Sequence, residues 1–441
     1  MAPRTEESAA PAGASGSLTR RPGARVAVVG FAAVAVAEAA VWLLGPGDSI
    51  DPARVPESAY FRASQLSRVA EFSGAQRWLG LGSLAVEIAV LAVLALWRPP
   101  ALRRPLAGLS GRPLLGAAAI GAGLSLLLAV AGLPLGAIAH RRAEDFGLST
   151  QGLGGWLGDR ATSAAIAAAL AAAGAALALL AVRRLGRRFW IGGTAGVIAW
   201  ALVSTWLAPV LLAPVFNDFR PLPRGELRGE VLSLARRSGV DVGQVYRVDA
   251  SRRSTAINAY VDGLGSSKRV VIYDNAIERL TPAELRSVIA HELAHVRFDD
   301  VLHGIAFVAL VAPLGVLFVQ LAAWELARRS GDDVRSPGVI PALALCVAVA
   351  TAVLSVPGNQ LSRQMEARAD AFALRLTRDP GAFIGLQRRF GVVNLSDPSP
   401  PGLAHFLFGT HPTTMERIGA AVAYRRDAGI RAPRRSTRGG S

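Results

Sequence analysis

Long apolar runs constrain the fold of this chain more than any other feature. Several runs exceed 18 residues with almost no charged side chain, and 51% of the 441 residues are hydrophobic. A helix of about 20 apolar residues crosses the roughly 30 Å hydrocarbon core of a bilayer. Length alone would allow two or three soluble domains, but these runs predict a polytopic membrane protein.

Seven transmembrane helices are predicted from these runs. They lie at residues 25–44, 78–97, 113–138, 162–182, 189–212, 304–326 and 339–356. The first run contains Glu38 and the second contains Glu87. Because a charge inside a bilayer is unfavourable, each carboxyl group should face a water-lined chamber, pair with an arginine or stay protonated. The sequence leaves these alternatives open.

Two polar segments flank the last pair of spans. The first has an amphipathic helix at 224–238. Three strand candidates rich in Val, Ile and Tyr follow at 244–248, 257–261 and 269–273. The second segment has a helix at 360–377, a Pro-rich loop and an amphipathic helix from Thr413. The predicted fold is therefore a mainly α polytopic membrane protein with a small α+β domain at the membrane boundary.

The predicted organisation has six parts. The parts at the two ends have no periodic pattern of apolar residues and are expected to be disordered. The parts are an N-terminal arm (1–24), a five-helix region (25–214), a first polar segment (215–303), a transmembrane hairpin (304–357), a second polar segment (358–425) and a basic tail (426–441).

The formal net charge of +16 does not indicate a nucleic-acid partner. A nucleic-acid surface would gather basic side chains on one face with aromatic residues among them. Here the arginines lie in short loops, such as residues 183–188, and in the tail. This distribution is typical of the flanks of membrane helices. The single cysteine, Cys346, excludes a disulfide within the chain.

The segment TPAELRSVIAHELAHVRFDD carries the clearest chemical signal. His291 and His295 are separated by four residues and share one face of a helix, so both imidazoles can bind one zinc ion. Glu292 is adjacent and can reach a water molecule at that ion. Thr281 and Glu284 form a capping box that starts the helix. Two histidine ligands and a general base on one turn indicate a metallopeptidase.

A catalytic zinc ion needs a third protein ligand and an open position. Four further histidines are available: His140, His303, His405 and His411. Two carboxylates after the seventh span, Glu366 and Asp370, again share a helix face. One of them can bind the metal while the other accepts a hydrogen bond from a ligand histidine. A solvated helix face paired with arginines is the competing interpretation.

The chain resembles the type I CAAX prenyl endopeptidases and their bacterial relatives, including the HtpX-like proteases. Besides HELAH, four stretches carry the resemblance in order: APVLLAPVFNDFRPLP (208–223), STAINAYVDGLG (254–265), SRQMEARADAFA (362–373) and THPTTMERI (410–418). These proteases are gluzincin-type membrane zinc metallopeptidases, in which helices enclose a water-filled chamber capped by the catalytic domain.

The resemblance implies a role for eight residues and one zinc ion per chain. The implied zinc ligands are His291, His295 and Glu366. The implied catalytic groups are Glu292 as the base, Asp370 as the hydrogen-bond partner of a ligand histidine, and His411. The groups implied to hold substrate or stabilise the oxyanion are Asn258 and Arg417.

The sequence therefore predicts a zinc metalloendopeptidase in a bacterial plasma membrane, with membrane-associated or hydrophobic peptides as substrates. A transporter or channel lined by Glu38 and Glu87 is the alternative, and a non-catalytic scaffold is another. The positive-inside rule places the arginine-rich loops inside and the catalytic domain outside. The resemblance implies a cytosolic site, and we favour that orientation.

Overall fold

The computed structural model describes residues 22–97, 111–263 and 268–430. Most of the arm predicted at 1–24 and the part of the predicted tail beyond residue 430 lie outside the described residues. The first helix begins at Pro22, within the predicted arm, and the last helix ends at Asp427.

The described elements are mainly helical, with four short strands. The helices are α1 (Pro22–Leu44), α2 (Ala63–Ala92), α3 (Pro113–Asp145), α4 (Leu153–Leu185), α5 (Phe189–Leu207), α6 (Ala213–Phe216), α7 (Glu226–Ser238), α8 (Asp274–Arg279), α9 (Pro282–Arg297), α10 (Asp300–Arg329), α11 (Ile340–Thr377), α12 (Pro380–Val393), α13 (Gly402–Phe408) and α14 (Thr414–Asp427). The strands are β1 (Phe219–Pro221), β2 (Gln244–Val248), β3 (Ala259–Asp262) and β4 (Arg269–Tyr273).

Six helical stretches of the described chain are long and apolar enough to cross a membrane. One of them, Leu153–Phe216, has 64 residues and contains α4 and α5. At 1.5 Å per residue it would measure about 96 Å if straight, roughly three times the hydrocarbon thickness. A turn at Gly186, whose φ of 52° is left-handed, divides it into two helices. The six stretches therefore contain seven helices of spanning length, in agreement with the predicted number.

Helix α11 differs from its predicted form. The sequence suggested a seventh span ending near residue 356 and a separate helix from residue 360, because Pro357 lacks the N–H group of a regular helix. The structure instead has one helix of 38 residues with Pro357 buried inside it. Packing against neighbouring helices lets a membrane helix tolerate an internal proline. Glu366 therefore lies on the same continuous helix as the seventh span, roughly 39 Å from the start of that helix at Ile340.

The four strands form one sheet in the order β1-β2-β4-β3. Strands β2 and β4 are parallel, and β1 and β3 pair antiparallel with their neighbours. The strand predicted at 257–261 begins two residues later, and β1 was not predicted. Apolar side chains of the sheet, including Val270 and Ile272, are fully buried in one core with Leu285 and Ile289 of α9. This core fixes α9 beneath the sheet and leaves β3 at an edge.

The segment predicted as a Pro-rich loop contains two helices, α12 and α13. Asp379 caps α12 by accepting a hydrogen bond from the Ala382 N–H, and Pro380 occupies the first turn. Phe383 and Leu386 of α12 are buried in the core that also contains α9. The prediction was wrong here because the prolines were taken as loop markers, whereas proline favours the first turn of a helix.

Candidate functional site

Helix α9 begins with the predicted capping box. The Thr281 hydroxyl accepts a hydrogen bond from the Glu284 N–H (3.2 Å), and the Glu284 carboxylate accepts one from the Thr281 N–H (2.9 Å). Leu285 and Ile289 are buried in the core below the sheet. Because this apolar face sets the rotation of the helix, the opposite face carries His291 and His295 together.

Three potential metal ligands converge from α9 and α11. One donor atom each of His291, His295 and Glu366 lies within 4.8 Å of the others. The Nε2 atoms of His291 and His295 are 3.2 Å apart. Glu366 carboxylate oxygens lie 3.1 Å from the Nε2 of His291 and 3.5 Å from that of His295. Among the described residues this is the group of three that meets the spacing of a metal site.

Each histidine has a carboxylate at its other ring nitrogen. The Nδ1 of His291 is 2.8 Å from an Asp370 oxygen, and the Nδ1 of His295 is 2.7 Å from an Asp300 oxygen. Both carboxylates are buried. If each Nδ1–H donates to its carboxylate, both Nε2 atoms are electron-pair donors directed at the same point.

Two arginines complete this arrangement. The Arg417 Nε is 2.8 Å from Asp370, and Arg368 pairs with the other oxygen of Asp300. The Arg368 guanidinium also stacks on the Phe298 ring at 4.3 Å. Both arginine side chains are about nine-tenths buried, at 11% and 12% exposure. The two histidines are thus each held by an aspartate and an arginine.

Asp300 and Arg368 were not identified as site residues from the sequence. Asp299 adopts a left-handed conformation with φ of 52°, so α9 ends and α10 begins immediately after it. This break turns the Asp300 side chain back toward His295. An acidic residue directly after the break was the available signal, but the sequence does not show where the chain turns.

These donors fit a divalent cation. Glu366 has a buried carboxylate oxygen, Oε2, that lies 3.1 Å from the Nε2 of His291 and faces the space between the ligands. Burial lowers the pKa of His291, but hydrogen bonds with Asp370 and Glu366 outweigh burial and raise that pKa to about 10. The site therefore favours a positive charge between the ligands. Two imidazole nitrogens and a carboxylate oxygen are the donors of a three-ligand catalytic zinc site.

Glu292 lies next to this group on α9. Burial raises the pKa of its carboxyl group, while the neighbouring His291 and His295 oppose that increase. A raised pKa suits a carboxyl group that accepts and then releases a proton. In the described part of the chain no side chain donates a hydrogen bond to Glu292, so its carboxylate is free to accept one from water.

His411 reaches the cluster from the loop before α14. Its Nε2 is 3.3 Å from a Glu366 oxygen, and its Nδ1 is 2.8 Å from the Thr410 hydroxyl. The side chain is 56% exposed, so His411 lies on the open side of the cluster. Desolvation lowers the pKa of His411 against the opposing charge of Glu366, and the charge of Arg417 lowers it further. If the Thr410 hydroxyl donates to Nδ1, a neutral imidazole has its N–H donor at Nε2.

The remaining two predicted residues lie around the cluster. Asn258 is exposed just before the edge strand β3, and its side-chain oxygen accepts a hydrogen bond from the Ala259 N–H. No hydrogen bond joins it to the three-ligand group within the described residues. Arg417 pairs with Asp370 behind His291, where both line a cavity of about 440 Å³. Their predicted roles toward substrate stay predictions.

Contacts with a membrane helix fix the edge strand. Ser149, in the turn between α3 and α4, forms a β-bridge with Ser254. Asp159 on α4 pairs with Arg253 at 2.6 Å. Because these contacts precede β3 directly, the position of the edge beside α9 depends on α4.

Comparisons with known proteins agree with the fold and with a membrane metalloprotease family. Residues 221–425 match the profile of peptidase family M48, which includes both polar segments and the hairpin between them. Residues 52–218 match the profile described as CAAX prenyl protease N-terminal, five membrane helices. Together the two profiles account for most of the chain.

Individual relatives show the extent of the similarity. The chain is 28% identical over 300 residues to the uncharacterised metalloprotease YhfN of Bacillus subtilis, covering 67% of this chain and 70% of that protein. It is 26% identical over 321 residues to CAAX prenyl protease 1 of Saccharomyces cerevisiae, with the same coverage. A rice CAAX prenyl protease 1 homolog is 33% identical over 236 residues, but the chain spans only about half (53%) of its length.

The crystal structure of S. mikatae Ste24p has the same fold. It superposes with a TM-score of 0.68 at 19% identity, covering 90% of this chain and 98% of that one.

Proposed function

We propose that this chain is a zinc metalloendopeptidase of membrane-associated substrates, because its residues 221–425 match the profile of peptidase family M48 and its residues 52–218 match that of the CAAX prenyl protease N-terminal domain. The observation that supports this proposal is the convergence of His291, His295 and Glu366 within 4.8 Å, beside the unpaired carboxylate of Glu292. A zinc ion held there would act as a Lewis acid on the scissile carbonyl and lower the pKa of a water molecule.

Glu292 is the proton carrier in this proposal. Its carboxylate accepts a proton from the water whose oxygen attacks the carbonyl carbon. As the C–N bond breaks, the same carboxyl group gives the proton to the leaving amine nitrogen. The products are a carboxylic acid and an amine, so one water molecule is consumed for each bond cleaved.

His411 is proposed to stabilise the oxyanion. Its Nε2–H is on the open side of the cluster, where the carbonyl oxygen of a bound peptide would develop charge. One such donor typically contributes about 3 kcal/mol to the barrier reduction. Asn258 is proposed to hold the substrate backbone at the edge of the sheet, since an exposed edge strand can pair with an extended peptide.

Asp370 and Asp300 are proposed to orient the two ligand histidines. Each holds one Nδ1–H and is itself fixed by a buried arginine. This arrangement keeps each Nε2 directed at the ion and limits rotation of the ring. It also assigns Arg417 a positioning role behind His291, in addition to the contact with substrate that the sequence suggested.

The position of the ligands indicates the substrate class. His295 lies five residues before α10, and Glu366 lies on α11, and both helices belong to membrane-spanning stretches. The catalytic group is therefore at the membrane boundary. We propose that substrates are peptides already at the bilayer, anchored by an apolar segment or a lipid.

Zinc content and matched peptides test this function. We expect one zinc ion per purified chain by elemental analysis. In liposomes, a peptide with an apolar anchor should have a much higher kcat/KM than the same scissile sequence without it. Equal values would refute the membrane-substrate proposal but leave the peptidase. A protein without zinc and without cleavage would instead favour a transporter or a scaffold.

A further inference from the structure

Arginines are concentrated at the end of the membrane helices that lies away from the catalytic site. Helix α4 runs 33 residues from the turn that contacts Ser254, and α10 runs 30 residues from Asp300. At 1.5 Å per residue their far ends lie roughly 45–50 Å from that site. The last turn of α4 contains Arg183 and Arg184, and the connection to α5 contains Arg187 and Arg188. The turn from α10 to α11 contains Arg335.

Hydrogen bonds hold these two turns together. The Arg183 guanidinium donates to the Arg335 carbonyl oxygen at 3.1 Å. Gln320 on α10, which is only 6% exposed, accepts from the Trp190 N–H at 2.8 Å and donates to the Arg187 carbonyl at 3.1 Å. The Arg335 guanidinium lies beside Gly186, whose φ of 52° is left-handed. The arginines therefore form one fixed surface, which we call the arginine face.

Three guanidinium groups of this face have no carboxylate partner among the described residues. Arg184, Arg187 and Arg188 are exposed, and no carboxylate lies within ion-pair distance of them in the residues that the structure describes. The nearby Glu325 already pairs with Arg328 and Arg329.

Arginines near the catalytic site differ from this pattern. Three of them are paired with carboxylates: Arg253 with Asp159, Arg269 with Asp262, and Arg368 with Asp300. Arg184, Arg187 and Arg188 of the arginine face are therefore available to bind an anion from outside the described chain.

We propose that the arginine face binds the phosphate of an anionic phospholipid in the adjacent leaflet. The face joins four spanning helices, so it lies at the level of lipid headgroups. Arginine donates two parallel hydrogen bonds to one phosphate, and basic pockets between membrane helices suit such headgroups. Trp190 and Trp324, both half-buried, lie near the same ends, as aromatic side chains do at the interface.

Lipid binding to the purified protein tests this proposal independently of peptidase activity. The test variant carries Arg184→Gln, Arg187→Gln and Arg188→Gln. The matched control carries Arg224→Gln, Arg236→Gln and Arg247→Gln, which replace three exposed arginines of the first polar segment. Both variants lose the same charge. Each is titrated with phosphatidylglycerol and with phosphatidylcholine in detergent, and the lipid adducts are counted by native mass spectrometry.

We expect wild type and control to prefer phosphatidylglycerol. Each arginine near a headgroup contributes about fivefold, so the test variant should lose roughly 100-fold in phosphatidylglycerol affinity. Unchanged zinc content would show that the variant is folded. The proposal fails if wild type shows no preference or if the test variant keeps it. Displacement of the lipid by inorganic phosphate alone would also overturn it, because the face would then be a general anion site.

Discussion

Asp300→Asn is the variant that tests most directly whether a buried aspartate orients a candidate ligand histidine, His295. The substitution keeps the size of the side chain but removes the charge that faces the Nδ1 of His295 at 2.7 Å and Arg368 on its other oxygen. An amide has one oxygen and one NH2 group, so either His295 or Arg368 then faces an N–H group where a carboxylate oxygen had been. The side chain also lacks the negative charge that strengthens both contacts.

Two effects of different size follow. Replacing a hydrogen-bond partner of a metal-bound histidine typically lowers metal affinity 10–100-fold, or about 1.4–2.7 kcal/mol. Leaving one member of a buried ion pair unpaired destabilises a protein by about 3–5 kcal/mol, and the amide should reduce that loss because it is still polar. We therefore expect weaker zinc binding and a lower melting temperature together.

Competition with a chelator measures zinc affinity, and calorimetry measures stability. Asp299→Asn is the matched control, since Asp299 is exposed and asparagine also tolerates its left-handed φ of 52°. The double variant Asp300→Asn/Arg368→Met should recover stability, because the unpaired charge is gone, but should not recover zinc affinity. If Asp300→Asn binds zinc as tightly as Asp299→Asn does, Asp300 does not orient His295.

Four further predictions concern the same centre and its surroundings. Glu366→Ala should lose zinc and peptide cleavage, and full zinc occupancy by elemental analysis would remove Glu366 as a ligand. Glu292→Gln should keep zinc but lose about a thousandfold in kcat, so near-normal turnover would exclude it as the base. The pKa of about 10 means that metal-free His291 is protonated at pH 7 and must lose that proton to bind zinc. Calorimetry in buffers of different ionisation enthalpy should thus detect about one proton released, and affinity should rise about tenfold per pH unit from pH 7 to 9; a pH-independent affinity would contradict this. If Glu87 lines a water-filled path to the site, Glu87→Leu should slow cleavage of an anchored peptide more than cleavage of a soluble peptide. Equal slowing of both peptides would exclude that path.

The sequence alone determined the features that depend on neighbouring residues. The spans follow from the length of the apolar runs, and α9 follows from the capping box at Thr281 and its apolar period. The spacing of four residues places His291 and His295 on one face in any α-helix. The pair Glu366 and Asp370 follows from the same rule. These inferences need no knowledge of the remaining chain.

Tertiary structure decided what lies opposite these residues. Asp300 meets His295 only because the chain turns at Asp299, and a left-handed aspartate is not marked in the sequence. Pro357 continues a helix because neighbouring helices pack against it, whereas a local rule places a break there. The partner of a buried charge is set by packing between distant segments, and local patterns carry no information about it. For that reason spacing placed the candidate ligands on shared helix faces and the resemblance singled out Glu366, whereas the contacts that hold these residues were not predictable.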